Sequence, residues 1–453
     1  MDTGYLPLQA GVRLLHIGPH KTGTTAIQGA FHLARERLAD EGVVYPGTGR
    51  QPLRAILAVT GQPALVGEPL HTMANWEWLV GKVREAGSQR VVVSSEFFAG
   101  AEDEVIPRIV EDMGGPMAHV VVTLRPLTKI LPSQWQQYMQ NGYCFGYLEW
   151  LEGVLSDPPD TPTPGFWVRH RHDRLIERWA NVVGAENLTV IVVDKSDPRM
   201  LLGTFESMLG LPGGVLVPES GAVNRSLTFA EAEIARMINE EFSRQEWPSG
   251  NYATFVRNGA VKRLKSRTPA PGEPGIVTPA WALKRATEIG AEMVANISAL
   301  GVHVIGDISA LCPPPGDASQ ETDPSQEAAL AGLAGSLIPA EAAAQAILGA
   351  FTAGGVDRPP ATESRPPEPD ARTLARALTH LGRQRVRRAL HVPRPRRGDR
   401  SRPGQPSSAL PSALPQAAAA AVALAGPGRT ANYQVTVVPA DSAGSRLTVD
   451  DHE

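Results

Sequence analysis

The sequence predicts an α/β fold with a central parallel sheet, and three observations lead to this prediction. Short apolar runs bounded by turn residues recur along the first part of the chain and are apolar on both alternating faces, as strands covered on two sides must be. Segments with helical periodicity separate these runs, which is the order that right-handed crossovers produce. All eight tryptophans and every other aromatic residue except Phe351 and Tyr433 precede Cys312. We therefore expect the folded domain to span residues 1–311.

The predicted strands are apolar runs that end at turn-forming or polar residues. They are residues 12–17, 91–94, 120–124 and 188–193. The first run ends at Gly18, the third at Arg125 and the fourth at Asp194. Between and after them, apolar residues recur every three or four positions, which predicts amphipathic helices. These helices are residues 24–39, 102–113, 127–140, 171–183, 198–209, 229–242 and 279–300.

Residues 312–453 are expected to form a largely disordered tail rich in proline, alanine and arginine. Of the 40 prolines, 18 fall in this segment, which holds only two aromatic residues. Such a composition buries too little apolar surface to offset the entropy of ordering. Within it we expect a weak helix at about residues 326–351 and a basic segment at residues 372–402. The composition favours a solvated arm for the basic segment, and its positive charge would also suit contact with acidic surfaces.

The overall charge and cysteine content exclude several classes of protein. With 43 basic and 47 acidic residues the net charge is −4, so nothing indicates nucleic-acid binding and any anion site must be local. The two cysteines, Cys144 and Cys312, suit neither a disulfide framework nor a metal site. The first apolar run is too short for a cleaved signal, and no later run has the roughly 20 residues of a transmembrane helix. We therefore expect a soluble, cytoplasmic protein.

The strongest local signal follows the first predicted strand. Residues 18–25 read Gly-Pro-His-Lys-Thr-Gly-Thr-Thr, so one glycine ends the strand and a second precedes a helix. The first N–H groups of a helix have no partner within it and carry partial positive charge, and they therefore bind phosphate well. Gly18 and Gly23 have the spacing of the nucleotide-triphosphate loop. The lysine is displaced, however, because it stands at Lys21 and Thr24 occupies the position expected for it.

This loop resembles the 5′-phosphosulfate loop of sulfotransferases that use 3′-phosphoadenosine-5′-phosphosulfate (PAPS), particularly carbohydrate and heparan-type members. The resemblance implies a P-loop-like, three-layer α/β fold and in-line transfer of a sulfuryl group from PAPS to an acceptor hydroxyl on a carbohydrate or glycosylated metabolite. It also implies that Lys21 stabilises the leaving oxygen and that no metal ion is needed. The 5′-phosphate would then lie on the backbone N–H groups of Thr22, Gly23, Thr24 and Thr25.

A second pattern agrees with the same family. Its members bind the 3′-phosphate with an arginine after a core strand and a serine eight residues later, and Arg125 and Ser133 have this spacing. In heparan-type relatives a glutamate after the intervening strand takes the proton of the acceptor hydroxyl, and Glu96 follows the second predicted strand. The resemblance thus implies Glu96 as the general base. His20 is the alternative base, and Glu96 could instead cap the following turn.

Two other function classes stay open. A P-loop kinase or NTPase that uses Mg-ATP would hold magnesium with Asp194, although the displaced Lys21 and the pair Arg125 and Ser133 do not fit triphosphate chemistry. A non-catalytic nucleotide-binding or interaction module would act through its basic tail. The expected partners are a small-molecule or glycan acceptor and no nucleic acid.

Three weaker features have an ordinary structural explanation beside a functional one. Residues 134–147 concentrate aromatic and amide side chains, which suits a sugar-binding cleft with a lid or simple helix packing. His170 and His172 could ligate a metal, but the neighbouring arginines favour surface exposure. Arg225 is a further candidate for contact with the nucleotide.

Overall fold

The computed structural model describes residues 7–64, 70–194, 196–219, 225–313 and 339–355. Its centre is a sheet of six parallel strands in the order β2-β3-β1-β4-β5-β6. The strands are β1 (Arg13–His16), β2 (Val43–Val44), β3 (Arg90–Ser94), β4 (Ala118–Leu124), β5 (Leu188–Val192) and β6 (His303–Ile305). The predicted α/β class with a parallel sheet is confirmed.

Helices connect every pair of consecutive strands and cover the sheet. They are α1 (Thr24–Leu33), α2 (Arg35–Asp40), α3 (Leu53–Val59), α4 (Met73–Glu85), α5 (Ile106–Asp112), α6 (Leu127–Gln140), α7 (Tyr147–Leu155), α8 (Gly165–His170), α9 (His172–Val183), α10 (Met200–Leu209), α11 (Phe229–Arg244), α12 (Ser249–Asn251), α13 (Lys262–Ser266), α14 (Ala280–Ala299) and α15 (Ala340–Ala353). A π-helix, Tyr252–Val261, separates α12 from α13. A 3₁₀ turn, Glu96–Gly100, follows β3.

The strands divide their side chains between two apolar layers because successive residues of a strand point to opposite faces. Leu15, Val93 and Val120 enter the larger layer, which is completed by α3 to α9 and by the helices that follow α10. Leu14 and Val121 enter the smaller layer, which is formed with α1, α2 and α10. All of these strand residues are buried. The result is the three-layer arrangement that the alternating sequence pattern predicts.

Several boundaries differ from the sequence-based prediction. The helix predicted at residues 24–39 is two helices, α1 and α2, which meet at Ala34. Strands β2 and β6 were not predicted, because two and three residues are too few to show a period. Helix α6 has the predicted bounds, and Pro132 is accommodated inside it.

A helix from the predicted tail packs onto this domain. Helix α15 lies against the π-helix and α13. A Cβ on Gly259 would lie 2.9 Å from the carbonyl oxygen of Gly349, so the two backbones touch where they cross. Arg267 donates to the carboxylates of Glu231, Glu273 and Glu341, and it thereby joins α11, the loop after α13 and α15. Helix α15 overlaps the segment predicted as helical at 326–351 and ends two residues beyond it. Residues 326–338 and the basic segment 372–402 lie outside the described residues.

Among the residues that the structure describes, no helix combines the length and the apolar character that crossing a bilayer requires. The domain boundary at residue 311 and the cytoplasmic location stay predictions.

Candidate active site

The carboxyl ends of three adjacent strands define the candidate site. Strand β1 lies between β3 and β4, so the segments that follow these strands meet at one edge of the sheet. These segments are the loop before α1, the turn that begins at Glu96 and the Arg125 segment that leads into α6. Ligand crevices of α/β proteins open at this edge.

The loop between β1 and α1 has an unusual backbone that fits closely against the Glu96 turn. Gly18, Lys21 and Gly23 all have positive φ, of 80°, 68° and 102°. A Cβ on Gly18 would lie 2.9 Å from the Cα of Glu96, so a larger residue cannot replace this glycine without displacing the turn. For Lys21, a non-glycine residue, the left-handed conformation costs roughly 1 kcal/mol or more, which is typical of functional loops.

The threonines of the loop serve two different purposes. The Thr22 hydroxyl donates to the Pro19 carbonyl oxygen at 2.6 Å and lies 2.8 Å from the Thr123 hydroxyl, so it holds the loop against β4. Thr24 is buried, and its hydroxyl is directed to the same carbonyl at 3.4 Å. Thr25 is exposed at the start of α1, where no side chain caps the helix. The open end of α1 and Thr25 therefore present N–H groups and a hydroxyl to an anion.

Lys21 lies at the centre of the site. Its Nζ donates to Oε1 of Gln137 on α6 at 2.8 Å. Burial lowers its pKa to about 8; the charges of Lys265 and Arg125 act in the same direction, and Glu96 opposes them. An ammonium group that is held by one neutral partner and surrounded by other cations is poised to bind an anion.

Glu96 is held in place by two glutamines. The Nε2 of Gln28 donates to Oε2 of Glu96 at 2.9 Å and also contacts the Ser94 carbonyl at 3.3 Å. The hydroxyl of Ser95 donates to Gln51 at 2.7 Å, and the Gln51 side chain in turn lies beside Glu96. Burial raises the pKa of Glu96, whereas hydrogen bonds and the charge of Lys21 limit this rise. A carboxylate that is fixed in position and has a raised pKa suits a general base.

Arg125 and Ser133 flank the loop from the side of β4 and α6. The Nη1 of Arg125 donates to the carbonyl oxygen of Lys21 at 2.8 Å. Its other guanidinium nitrogens have no hydrogen bond or ion pair in the described part of the chain, so they are open to a ligand. Ser133 is partly exposed one turn before Gln137 on α6, and residues four apart share a helix face. Ser133 therefore lies on the face of α6 that Lys21 contacts.

His20 belongs to the loop, and its ring faces the Glu96 turn. Its ring packs edge-to-face on Phe97 with centroids 5.0 Å apart, and its Nδ1 is buried without a hydrogen-bond partner in the described chain. Burial, together with the charges of Arg169 and Lys21, lowers the pKa of His20 well below its usual value. His20 is therefore neutral near pH 7, and one of its ring nitrogens can accept a hydrogen bond.

The two histidines expected at the surface are instead buried. His170 is fully buried and His172 is 1% exposed, because the corner between α8 and α9 packs inward. Their ring centroids lie 6.0 Å apart, and none of their four ring nitrogens has a partner among the described residues. No group of three or more potential metal ligands occurs in the described part of the chain. The interpretation as exposed residues was therefore wrong.

The burial of His172 predicts a loss of stability in acid. Burial lowers its pKa to about 4, although the Asp173 charge opposes this shift. Because the pKa of an unfolded histidine is about 6.5, the unfolded chain binds the proton first as the pH falls. The free energy of unfolding should therefore decrease below pH 6.5, and His172 should account for about 2 kcal/mol of the loss at pH 5. Urea unfolding of the wild type and of His172→Leu at pH 7 and pH 5 measures this contribution. Identical pH dependence in the two proteins would contradict it.

Other side chains of the site were not predicted. Gln28, Gln137 and Lys265 interact with the predicted catalytic residues, but none of them was assigned to the site from the sequence. Two signals were available for Gln137, which falls in the amide-rich segment 134–147 and lies one helical turn after Ser133. The aromatic residues of the segment 134–147 largely pack in the core, since Trp135, Tyr138 and Tyr147 are buried.

Two further candidates have structural roles in the fold. Arg225 donates to both carboxylate oxygens of Glu231 at 2.7 Å, so its charge is already paired. Asp194 is exposed beyond β5, two strands away from β1, and it bonds to Ser196 in its own loop. The carboxylate of Asp194 is therefore hydrogen-bonded within its own loop, after a strand that is not adjacent to β1.

Of the comparisons with known proteins, the one with solved structures finds matches. No protein-family model matches the chain, and no curated protein matches it. Among solved structures, a sulfotransferase from Alicyclobacillus acidocaldarius is similar at 14% sequence identity and a TM-score of 0.39, over 66% of this chain and 98% of that chain. A likeness at this level does not define a family.

Proposed function

We propose that this protein is a PAPS-dependent sulfotransferase, which moves a sulfuryl group from PAPS to an acceptor hydroxyl on a carbohydrate or glycosylated metabolite. One observation carries the proposal: a phosphate-type loop with Lys21, a positioned Glu96 and an open Arg125 converge at one edge of the sheet. An anion-binding end, a candidate base and a second cation are the groups that this transfer needs.

The nucleotide would be held by two groups of residues on either side of Lys21. The uncapped end of α1 supplies N–H groups and the Thr25 hydroxyl for the 5′-phosphate. The unpaired nitrogens of Arg125 and the hydroxyl of Ser133 suit the 3′-phosphate, because a guanidinium fork matches phosphate geometry. Lys265 adds a further positive charge close to Lys21.

The chemistry follows from the positions of the charged groups. Glu96 takes the proton of the acceptor hydroxyl, and the acceptor oxygen forms a new bond to sulfur. The bond between sulfur and the bridging oxygen breaks, and 3′,5′-ADP leaves. Lys21 stabilises the charge that develops on this bridging oxygen, and His20 can donate or accept a hydrogen bond beside the sulfuryl group.

Binding of 3′,5′-ADP tests the proposal. We expect 3′,5′-ADP to bind in calorimetry without magnesium, and we expect Arg125→Ala to weaken binding by about 1–3 kcal/mol, from several-fold to about a hundredfold. Arg84→Ala, at an exposed position in the last turn of α4, is the matched control. Mass spectrometry after incubation with PAPS and host extract should then reveal an acceptor that gains about 80 Da. Binding of Mg-ATP in preference to 3′,5′-ADP would overturn the proposal in favour of a kinase or NTPase.

A further inference from the structure

Buried polar atoms without partners concentrate beside the Glu96 turn. Within the described chain, Nδ1 of His20, Nε of Arg169 and both ring nitrogens of His170 have no hydrogen bond. His170 is fully buried. Native proteins leave few buried polar atoms unsatisfied, because their lost hydration is not replaced. A concentration of them indicates a site that a ligand completes.

These atoms belong to α8 and to the loop between β1 and α1, and both segments border the Glu96 turn. Helix α8, which carries Arg169 and His170, packs against the 3₁₀ turn that begins at Glu96. From the loop, the ring of His20 packs edge-to-face on Phe97 of the same turn, with centroids 5.0 Å apart. The unsatisfied atoms therefore lie beside the Glu96 turn, on the side that α8 borders.

Arg169 differs from the arginines that follow it. Arg171 pairs with Asp173 and Glu292, Arg174 pairs with Glu177, and Arg178 pairs with Asp103. Arg169 has no carboxylate within ion-pair distance in the described part of the chain. Its Nη1 would lie 3.0 Å from a Cβ on Gly165, so the absence of a side chain there leaves room for the guanidinium group. An unpaired, partly buried guanidinium group is best satisfied by an anion.

We propose that the sulfuryl acceptor binds against these unsatisfied atoms and that Arg169 selects acceptors that carry an anionic group near the reacting hydroxyl. The inference rests on the proposed function, because the phosphates of the nucleotide are assigned to Lys21, α1 and Arg125. The ring nitrogens of His170 supply hydrogen-bonding groups for the polar atoms of the acceptor. A carboxylate, sulfate or phosphate on the acceptor would satisfy Arg169 equally.

A matched pair of probes tests the anion preference. Saturation-transfer NMR on the protein loaded with 3′,5′-ADP measures the affinity of 4-nitrophenyl β-D-glucuronide and of the neutral 4-nitrophenyl β-D-glucoside. We expect the wild type to bind the glucuronide at least about tenfold more tightly, which is a typical ratio for one charge-assisted contact. Arg169→Gln should remove this preference and leave the affinity for 3′,5′-ADP within about twofold. Arg174→Gln, at an exposed and paired arginine, should preserve the preference.

The outcomes separate the two proposals. Equal binding of both probes by the wild type, or binding of neither, contradicts the proposed acceptor site even when 3′,5′-ADP binds normally. A preference that persists in Arg169→Gln shows that another residue selects the anion and overturns the inference. Failure of the wild type to bind 3′,5′-ADP contradicts the proposed function itself.

The variant His170→Phe separates binding from folding. It removes two unsatisfied nitrogens, so it should fold at least as stably as the wild type while binding the glucuronide more weakly. The affinities for analogues that carry a sulfate or a phosphate in place of the glucuronide carboxylate then show which anionic group Arg169 prefers.

Discussion

Replacement of Glu96 by glutamine is expected to lower kcat by about 10²–10⁴-fold, the usual contribution of a positioned general base. Glutamine keeps the shape of the side chain and can still bond to Gln28, but it cannot take a proton. Affinity for 3′,5′-ADP should change by less than about twofold, since the proposed phosphate contacts lie on the loop and on Arg125. The measurement is the rate of 3′,5′-ADP formation from PAPS with the extract fraction that gains mass.

The pH profile gives a second test of Glu96. Only the ionised carboxylate acts as a base, and burial raises the pKa of this group. The rate should therefore fall with decreasing pH at a higher pH than an ordinary glutamate would give. Glu104→Gln, at an exposed position beyond the turn, serves as the control. Full activity of Glu96→Gln would show that the base assignment is wrong and would direct attention to His20→Asn.

Loss of Lys21 is expected to be similarly severe. Lys21→Ala should lower kcat by about 10²–10³-fold, which is the usual effect of removing one donor that stabilises developing negative charge. In Lys21→Ala, Oε1 of Gln137 also loses the hydrogen bond that Nζ of Lys21 donates to it at 2.8 Å in the wild type. Lys82→Ala, at a surface lysine that pairs with Glu85, should keep wild-type activity.

The pH dependence of kcat/KM should reveal the titration of Lys21 in the free enzyme. Its pKa of about 8 means that the positive charge is lost as the pH rises above this value. The profile of kcat/KM, which reports groups of the free enzyme, should therefore decline above about pH 8. A flat profile to pH 10, or a Lys21→Ala variant with unchanged kcat, would contradict the role of Lys21 at the leaving oxygen.

The elements that the sequence predicted well are those set by local patterns. The four predicted strands are short apolar runs, α6 shows a helical period, and the phosphate-type loop consists of eight consecutive residues. The meeting of Lys21, Glu96 and Arg125 also follows from the rule that parallel strands place their carboxyl ends at one edge. The proximity of these three side chains could thus be inferred from the ends of three separate strands.

The residues that were missed depend on packing between distant segments. Gln137 reaches Lys21 across 116 positions of sequence, and nothing local indicates this contact. The burial of His170 follows from the way α8 packs beside the Glu96 turn, whereas the neighbouring arginines gave the opposite expectation. An arginine without a partner cannot be recognised until the positions of all nearby carboxylates are known. This is why the proposed role of Arg169 emerges from the structure alone.

The attachment of α15 has a consequence for the order in which the molecule is assembled during synthesis. Every strand of the sheet precedes α15 in the chain, so the edge that carries Lys21 and Glu96 can form before this helix exists. Arg267, in contrast, waits for Glu341, which is made 74 residues later. At roughly 5–20 residues per second, the ribosome needs about 4–15 s to supply it. During this interval the π-helix and Arg267 lack the contacts that α15 supplies.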